Sequence, residues 1–367
     1  MRFAPAERFF AVSIGVDPES QVNMIRFNND YNVSGHPAIL KALNEDAGNS
    51  YPGYLTDEWV DKARKEIYKY IDCPEAAIHF CVGATQANFI IIGAALRPFE
   101  SVVCADSGHI HVHEAGSVEH VGRKIEALPG KDGKITAQQI DEYVGAARTS
   151  EVADHITQPN LVYISFPTEF GSIYSKSELQ AIREVCDKYG MYLFIDGARL
   201  GYGLGAADCD VTVADITALS DVYYFGGTKC GCLFGEAIVI RNKTLQYCFR
   251  NIMKQNGAIL AKGWLLGLQF ATLFENGLYF DITSNADKYA IQIKEAFNKK
   301  GIESYIESST NQQFVIITKE QAAKLAENFI YENENVLDDG RLVVRFCTSW
   351  ATTEADTQVL VDAIEKL

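Results

Sequence analysis

The sequence lacks paired cysteine motifs, long apolar runs and any surplus of positive charge, and each absence removes a class of protein. Its nine cysteines are an odd number scattered over 367 residues, with no CxxC pair and a closest spacing at Cys230-Gly231-Cys232. That pattern excludes a disulfide scaffold and fits reduced, mostly buried thiols in a cytoplasmic protein. The longest apolar stretch, near Asn88 to Leu96, is interrupted by Gly93 and falls short of the roughly 20 helical residues that span a bilayer. Residues 1–23 are mildly apolar, but Arg2, Glu7, Arg8, Asp17 and Glu19 break up the core that a signal peptide needs. They read as a leader or flexible arm. Basic side chains number 33 against 48 acidic ones, a net charge of -15, which repels phosphate backbones and anionic membrane surfaces. Neither nucleic acid nor a membrane is an expected partner. Repeats, low-complexity segments and Pro/Gly/Ser-rich linkers are missing as well, so two lobes sharing one rigid interface are expected.

What is present is ordinary globular composition, 47% hydrophobic and 22% charged, enough for one large domain and a smaller one. Short apolar runs alternate with helical patterns from about residue 57 to 240, the sequence form of an α/β fold with a mostly parallel sheet and helices on both faces. The expected strands are Ile78 to Val82, Val102 to Ala105, Leu161 to Phe166, Tyr192 to Asp196, Val222 to Phe225 and Ala237 to Ile240. Ser175 with Glu178, and Thr136 with Gln139, form capping-box patterns that start two of the intervening helices. Leu179, Ile182, Val185, Cys186 and Tyr189 fall at helical spacing and can cover one sheet face. From Asn251 onward the pattern changes to long helices, including Ala258 to Leu273, then short strands near Phe314 to Thr318 and Leu342 to Phe346. This organisation predicts a large domain over residues 24–257, with connecting helices and a small C-terminal α/β domain over residues 258–367. The cleft between them is the expected site.

Four clusters carry possible chemistry. In Tyr223-Tyr224-Phe225-Gly226-Gly227-Thr228-Lys229-Cys230-Gly231 a lysine ends a buried strand among glycines that let a ligand approach the backbone. Burial there lowers an ammonium pKa and leaves an amine able to attack an aldehyde; a surface lysine on a loop is the competing reading. A nucleotide P-loop is excluded, because that motif needs glycine before its lysine and Ser/Thr after it, and here Thr228 and Cys230 stand in those places. In Phe194-Ile195-Asp196-Gly197-Ala198-Arg199 an apolar strand delivers an aspartate and an arginine at its carboxyl end, where α/β sheets bind ligands. A buried aspartate can hold a protonated pyridine nitrogen; a structural Asp–Arg pair is the alternative. Gly83-Ala84-Thr85-Gln86-Ala87-Asn88 follows a strand and opens a helix, an anion cradle suited to phosphate or simply a common turn. Finally, His109, His111 and His113 alternate before Glu114, which on one strand face would suggest a metal-dependent hydrolase. Such enzymes need further ligands at later strand ends, and only His120 and His155 remain downstream. A ring-stacking His109 in the cleft is the preferred reading.

Taken in order, these pieces resemble the low-specificity L-threonine aldolases, within the fold type I pyridoxal phosphate enzymes and their β-eliminating lyase superfamily. The resemblance runs from about Met24 to the carboxyl terminus and rests on Asn28-Asn29-Asp30-Tyr31, Pro52 to Asp57, Gly83 to Asn88, His109 with Glu114-Ala115-Gly116, Asp196 to Arg199, Gly226 to Lys229, and Arg345 to Trp350. It implies pyridoxal 5'-phosphate as a Schiff base on Lys229, with Asp196 pairing the pyridinium and His109 stacked on the ring face opposite Ala198. Gly83 opens the turn in which Ala84 and Thr85, with Thr228, hold the phosphate. Arg199 and Arg345, with Asn29 nearby, clamp the substrate carboxylate, and Tyr54 reaches a neighbouring subunit's site in a homo-oligomer, dimer or tetramer. Two positions depart from the family pattern: Asn29 where many relatives place serine, and Ala84 where many have glycine. Thr168 and Glu169 belong to a segment found in one branch.

The implied reaction is aldol cleavage of L-threonine or L-allo-threonine to glycine and an aldehyde, with His109, or a water it holds, as the base. Rival readings are β-elimination or racemisation on the same scaffold, a metal-dependent hydrolase built on His109, His111 and His113, and a catalytically dead scaffold.

Overall fold

Apolar runs alternating with amphipathic helices build a seven-stranded sheet around which the rest of the chain is arranged. The computed structural model describes residues 24–367, and the leader expected over residues 1–23 lies outside them. Strands β1 (Ile25–Arg26), β2 (Ala77–Cys81), β3 (Glu100–Ala105), β4 (Lys124–Leu128), β5 (Gln158–Ser165), β6 (Tyr192–Asp196), β7 (Val222–Gly226) and β8 (Glu236–Ile240) come first. β9 (Ser304–Ile306), β10 (Gln312–Ile317), β11 (Phe329–Ile330), β12 (Glu332–Val336) and β13 (Leu342–Cys347) follow. The large sheet has the order β2-β8-β7-β6-β5-β3-β4. Its pairs are parallel except that β8 runs antiparallel to both β2 and β7. Every residue of β3, β7 and β8 is buried, as a sheet covered on both faces requires.

The six strands expected from sequence in this sheet are present to within a few residues. β4 was not among them, because its KIEAL segment lies at the sheet edge with only Leu128 buried and shows no apolar run. Both capping boxes form as the spacing predicts: Ser175 and Glu178 start the helix Lys176–Tyr189, and Thr136 and Gln139 start Ala137–Thr149. The first of these helices buries Leu179, Ile182 and Cys186 and stops at Gly190, whose φ of 66° suits a left-handed cap. The helix expected over 258–273 begins instead at Trp264. Gly257, at φ 73°, terminates the preceding helix, and the Ala261 carbonyl accepts from the Tyr54 N–H rather than from a following helical turn.

Two apolar cores result. One surrounds the large sheet and still includes the helix Trp264–Phe274 and the start of Leu278–Lys299, as far as Ala286. The other takes over at Ile293 and packs β10 and β13 against the helices around them. The expected boundary at residue 257 therefore precedes a helix whose apolar surface belongs to the first core. The N-terminal segment crosses over: β1 pairs with β11, and Phe27 is buried in the second core. The smaller sheet is antiparallel, in the order β12-β13-β10-β9.

At the sheet edge remote from the strands' carboxyl ends, Asp221 ties three strands together. Its carboxylate accepts from Arg183 at 2.7 Å, from the Leu193 N–H at 2.8 Å and from Asn242 at 2.8 Å. Both Arg183 and Asp221 are buried. Removing one member of such a pair strands the other charge in a dry place, so Asp221→Ala should cost about 3–5 kcal/mol. A lowered urea midpoint, with the far-ultraviolet circular dichroism of the folded protein unchanged, is the expected measurement.

Candidate active site

The parallel strands deliver their carboxyl ends to one edge, and the sequence-predicted residues follow from that. The turn at Gly83 leaves β2, His109 lies shortly after β3, Ser165 ends β5, Asp196 ends β6 and Lys229 follows β7. Because β8 is reversed, it is its amino end, Glu236, that lies at this edge. A cleft opens there, with Lys229, Asp196, Ala198, Arg199, His109 and Ala84 among its walls. Ser165, Pro167 and Glu169 close the remaining side.

Lys229 sits on a hairpin between β7 and β8. The backbone closes on itself here: the N–H groups of Gly227 and Thr228 both reach the Gly235 carbonyl at 3.0 Å. Glycine is required twice, since a Cβ on Gly226 would stand 2.1 Å from the Ala198 carbonyl oxygen and one on Gly227 2.5 Å from that of Gly235. Burial, and after it the charge of Arg199, lowers the Lys229 ammonium below its ordinary value. An amine there is easier to obtain in its neutral, nucleophilic form. Beneath it, Glu236 accepts from the Gly227 N–H at 2.9 Å and meets the Thr228 hydroxyl at 2.8 Å. Burial outweighs those bonds and pushes the Glu236 carboxyl up to about 8.

A chain of hydrogen bonds links the other two key groups. Asp196 accepts from the Ala198 N–H at 2.9 Å, from Tyr163 at 2.5 Å and from the Asn88 amide at 3.1 Å. The same Asn88 nitrogen donates to Glu114 at 2.7 Å. Glu114 in turn accepts from Ser117 at 2.7 Å and meets His109 Nδ1 at 2.8 Å. With a carboxylate on Nδ1, that nitrogen carries the imidazole hydrogen and Nε2 is left as the acceptor. His109 lies on the helical turn His109–Val112 rather than on a strand, so the three alternating histidines do not share a face. His111 and His113 are exposed, and among the described residues no group of three potential metal ligands occurs.

Arg199 is held rigidly. Its Nε and Nη2 donate to Asp30 at 2.6 and 3.1 Å, and Asn311 adds a third bond to Asp30 at 2.9 Å. Burial raises the Asp30 carboxyl, but Arg199, Lys229 and these hydrogen bonds prevail and bring it down to about 2. It is ionised at any working pH, and its contribution to stability is lost only in strong acid. Arg345 does not line the cleft. Its Nη2 donates to the Asn28 carbonyl at 3.1 Å, and Nη1 meets Glu334 at 3.2 Å and Gln312 at 3.4 Å. Asn29 thus stands between the residue that holds Arg345 and the residue that holds Arg199. Tyr54 is exposed, at φ 65°, with the Lys254 ammonium 4.7 Å from its ring centre, away from the cleft of its own chain. Thr228 turns its hydroxyl to Glu236, and Thr85 is exposed on the first helical turn.

Sequence reading gave no roles to Asp30, Asn88 and Glu114, although each stood inside a quoted motif. Tyr163 and Glu236 were missed outright. Glu236 left one trace, an acid directly before an apolar strand.

This arrangement fits pyridoxal phosphate. Gly83 caps the helix Ala84–Ala95 with no side chain, and a Cβ placed on it would meet nothing within 4 Å. First-turn N–H groups are thereby left open to an anion. A carboxylate already supplied with hydrogen-bond donors faces the cleft at Asp196, and the lysine amine makes no hydrogen bond among the described residues.

Known proteins resemble the chain over most of its length. A family model described as beta-eliminating lyase matches residues 36–320. The low specificity L-threonine aldolase of a Pseudomonas strain is 29% identical over 335 residues, covering 90% of this chain and 94% of its own. That of Pseudomonas aeruginosa is 27% identical over 71% of this chain and 74% of its own. Among solved structures, a threonine aldolase from Leishmania major has a TM-score of 0.91 and 39% identity, covering 93% of this chain and 99% of that one. A Sphingomonas wittichii serine palmitoyltransferase, at TM-score 0.71 and 14% identity over 94% of this chain and 86% of its own, shares the fold. The chain belongs to the β-eliminating lyase family, among its threonine aldolases.

Proposed function

We infer that this chain is a pyridoxal phosphate lyase that cleaves L-threonine and L-allo-threonine to glycine and an aldehyde. The observation that carries the reading is the meeting, in one cleft, of a lowered lysine amine, a donor-rich aspartate and a histidine whose Nε2 is left free to take a proton. Lys229 would hold the cofactor covalently, Asp196 its ring nitrogen, and Ala84 and Thr85 its phosphate, with Ala198 and His109 on opposite ring faces. Bound there, the cofactor supplies an electron sink for the pair left on Cα when the Cα–Cβ bond breaks.

The side chains do the rest. Arg199, locked by Asp30 through Nε and Nη2, keeps Nη1 for the substrate carboxylate. Arg345 already meets Glu334, so a substrate carboxylate has to displace that contact to reach it. His109 Nε2 takes the proton of the β-hydroxyl, directly or through a water, and Glu114 stabilises the imidazolium that forms. Pro167 and Glu169 form part of the cleft wall, where they limit the space left for water beside the reacting atoms. We also place the protein in the cytoplasm as a homo-oligomer: all nine cysteines are free thiols, and exposed Tyr54 is the side chain a neighbouring subunit would take.

Incubation of the purified protein with L-threonine, L-allo-threonine and L-serine tests the reaction class. Glycine and an aldehyde are expected from the first two; ammonia and a 2-oxo acid without glycine would assign β-elimination instead. Lys229→Ala should remove both the visible absorbance and turnover, and retained cleavage would overturn the role of Lys229. His109→Asn should keep the visible absorbance while kcat falls by about 10²–10⁴-fold. An unchanged kcat would remove His109 from the chemistry.

A further inference from the structure

Glu236 is buried, lies directly behind the lysine hairpin and is not used by the mechanism above. Its carboxyl has two fixed neighbours. Oε2 accepts from the Gly227 N–H at 2.9 Å, and Oε1 lies 2.8 Å from Thr228 Oγ1, which also accepts from the Gly235 N–H at 3.0 Å. Both backbone donors are committed whatever the carboxyl's charge. Only one hydrogen between Oε1 and Oγ1 is free to choose its owner, and the ionisation of Glu236 decides it. In a carboxylate, Oε1 can only accept, so the Thr228 hydroxyl must point backward at it. In the acid, Oε1 donates to Oγ1, and the threonine hydrogen is released toward the one remaining tetrahedral position on Oγ1.

Strand register sets what lies nearby. β2 pairs with β8 so that Cys81 is opposite Glu236. The Cys81 sulfur lies 3.7 Å from the Gly83 carbonyl oxygen and 4.0 Å from that of Glu236. The uncapped turn Gly83 to Thr85 therefore leaves the sheet beside Glu236, the residue whose carboxyl meets the Thr228 hydroxyl. We propose that Glu236 is a protonic switch behind the cofactor's phosphate: as an acid it frees the Thr228 hydroxyl to donate to the phosphate, and as a carboxylate it withdraws that donor. This rests on the reading of Lys229 as the cofactor lysine, with the phosphate at the Ala84 turn.

Groups facing Glu236 decide the sense of the switch. Lys229, on the hairpin, is a cation before it takes the cofactor and favours the carboxylate; Asp196, at the end of β6, opposes it. Burial pushes up the thiols of Cys81, Cys230 and Cys232, and the hydroxyls of Tyr224 and Tyr279, so these stay neutral. Burial is the leading influence on Glu236 itself, whose value of about 8 leaves it protonated at neutral pH. A phosphate dianion nearby raises that value further. The donor is thus present below the transition and lost above it, at or beyond about pH 8.

Phosphorus NMR of the holoenzyme's cofactor, with its rate of release on dilution, tests this from about pH 7 to about pH 10. In the unaltered protein the resonance should shift through an inflection, and release on the alkaline side should be about tenfold faster. Glu236→Gln, whose amide always donates to Oγ1 and whose oxygen still accepts from Gly227, should give a flat titration with slow release throughout. Thr228→Val should also be flat, with fast release at every pH, and gives a reading even if the glutamine variant does not fold. A flat titration of the unaltered protein, or an inflection that survives in Glu236→Gln, overturns the switch alone. Protein that takes up no pyridoxal phosphate, shown by the lack of a visible band and of a bound phosphorus signal, would overturn the cofactor reading and the switch with it.

Discussion

The two hydrogens of the Asn88 amide hold the site together. Asn88 is completely buried, and its one nitrogen lies 2.7 Å from Glu114 and 3.1 Å from Asp196. Two carboxylates so close would repel each other in a medium of low polarity, and a neutral donor shared between them is the simplest way to keep both. From that amide the order spreads in two directions. Through Glu114 it fixes which nitrogen of His109 carries hydrogen, and through Asp196 it orders the carboxylate that, in the function proposed, would pair with a pyridinium. A cationic residue in its place would neutralise the charge that Asp196 needs.

The chain as a whole is acidic, and its cleft sets carboxyl groups beside Lys229 and Arg199. Each carboxyl there is governed by its own company rather than by the net charge of -15. Asp30, gripped by Arg199, is ionised at any working pH. Glu169 accepts from Ser165 at 2.7 Å and from the His109 N–H at 2.9 Å, but burial still raises it above its ordinary value. Glu236, behind the lysine, is pushed up to about 8. One sheet edge therefore carries carboxyl groups in different protonation states at neutral pH, a division that permits proton transfer without a change in fold.

How much of this was legible in the sequence depended on the range of the interaction involved. Strands and caps are local, and β6 or the Ser175 capping box could be read from a few neighbouring residues. Lys229, Asp196 and His109 were legible through the order of their motifs and the family those motifs resemble. β4 was hidden because an edge strand has no reason to be apolar. Partners were hidden for another reason: Asn88 stands 108 positions from Asp196, and Asp30 169 positions from Arg199, and no local pattern records such a meeting. The Thr228 hydroxyl illustrates the limit. Its place beside Lys229 is in the sequence, but that it faces Glu236 follows only from the pairing of β8.

That reversed strand has a mechanical consequence. Had β8 been parallel to β7, the lysine would have hung on a long crossover connection, free to drift with the helix it led to. As a hairpin pinned at Gly235 and flanked by two paired strands, the segment behaves as an anvil. An amine anchored on it is tied to the sheet by no more than its own four methylenes.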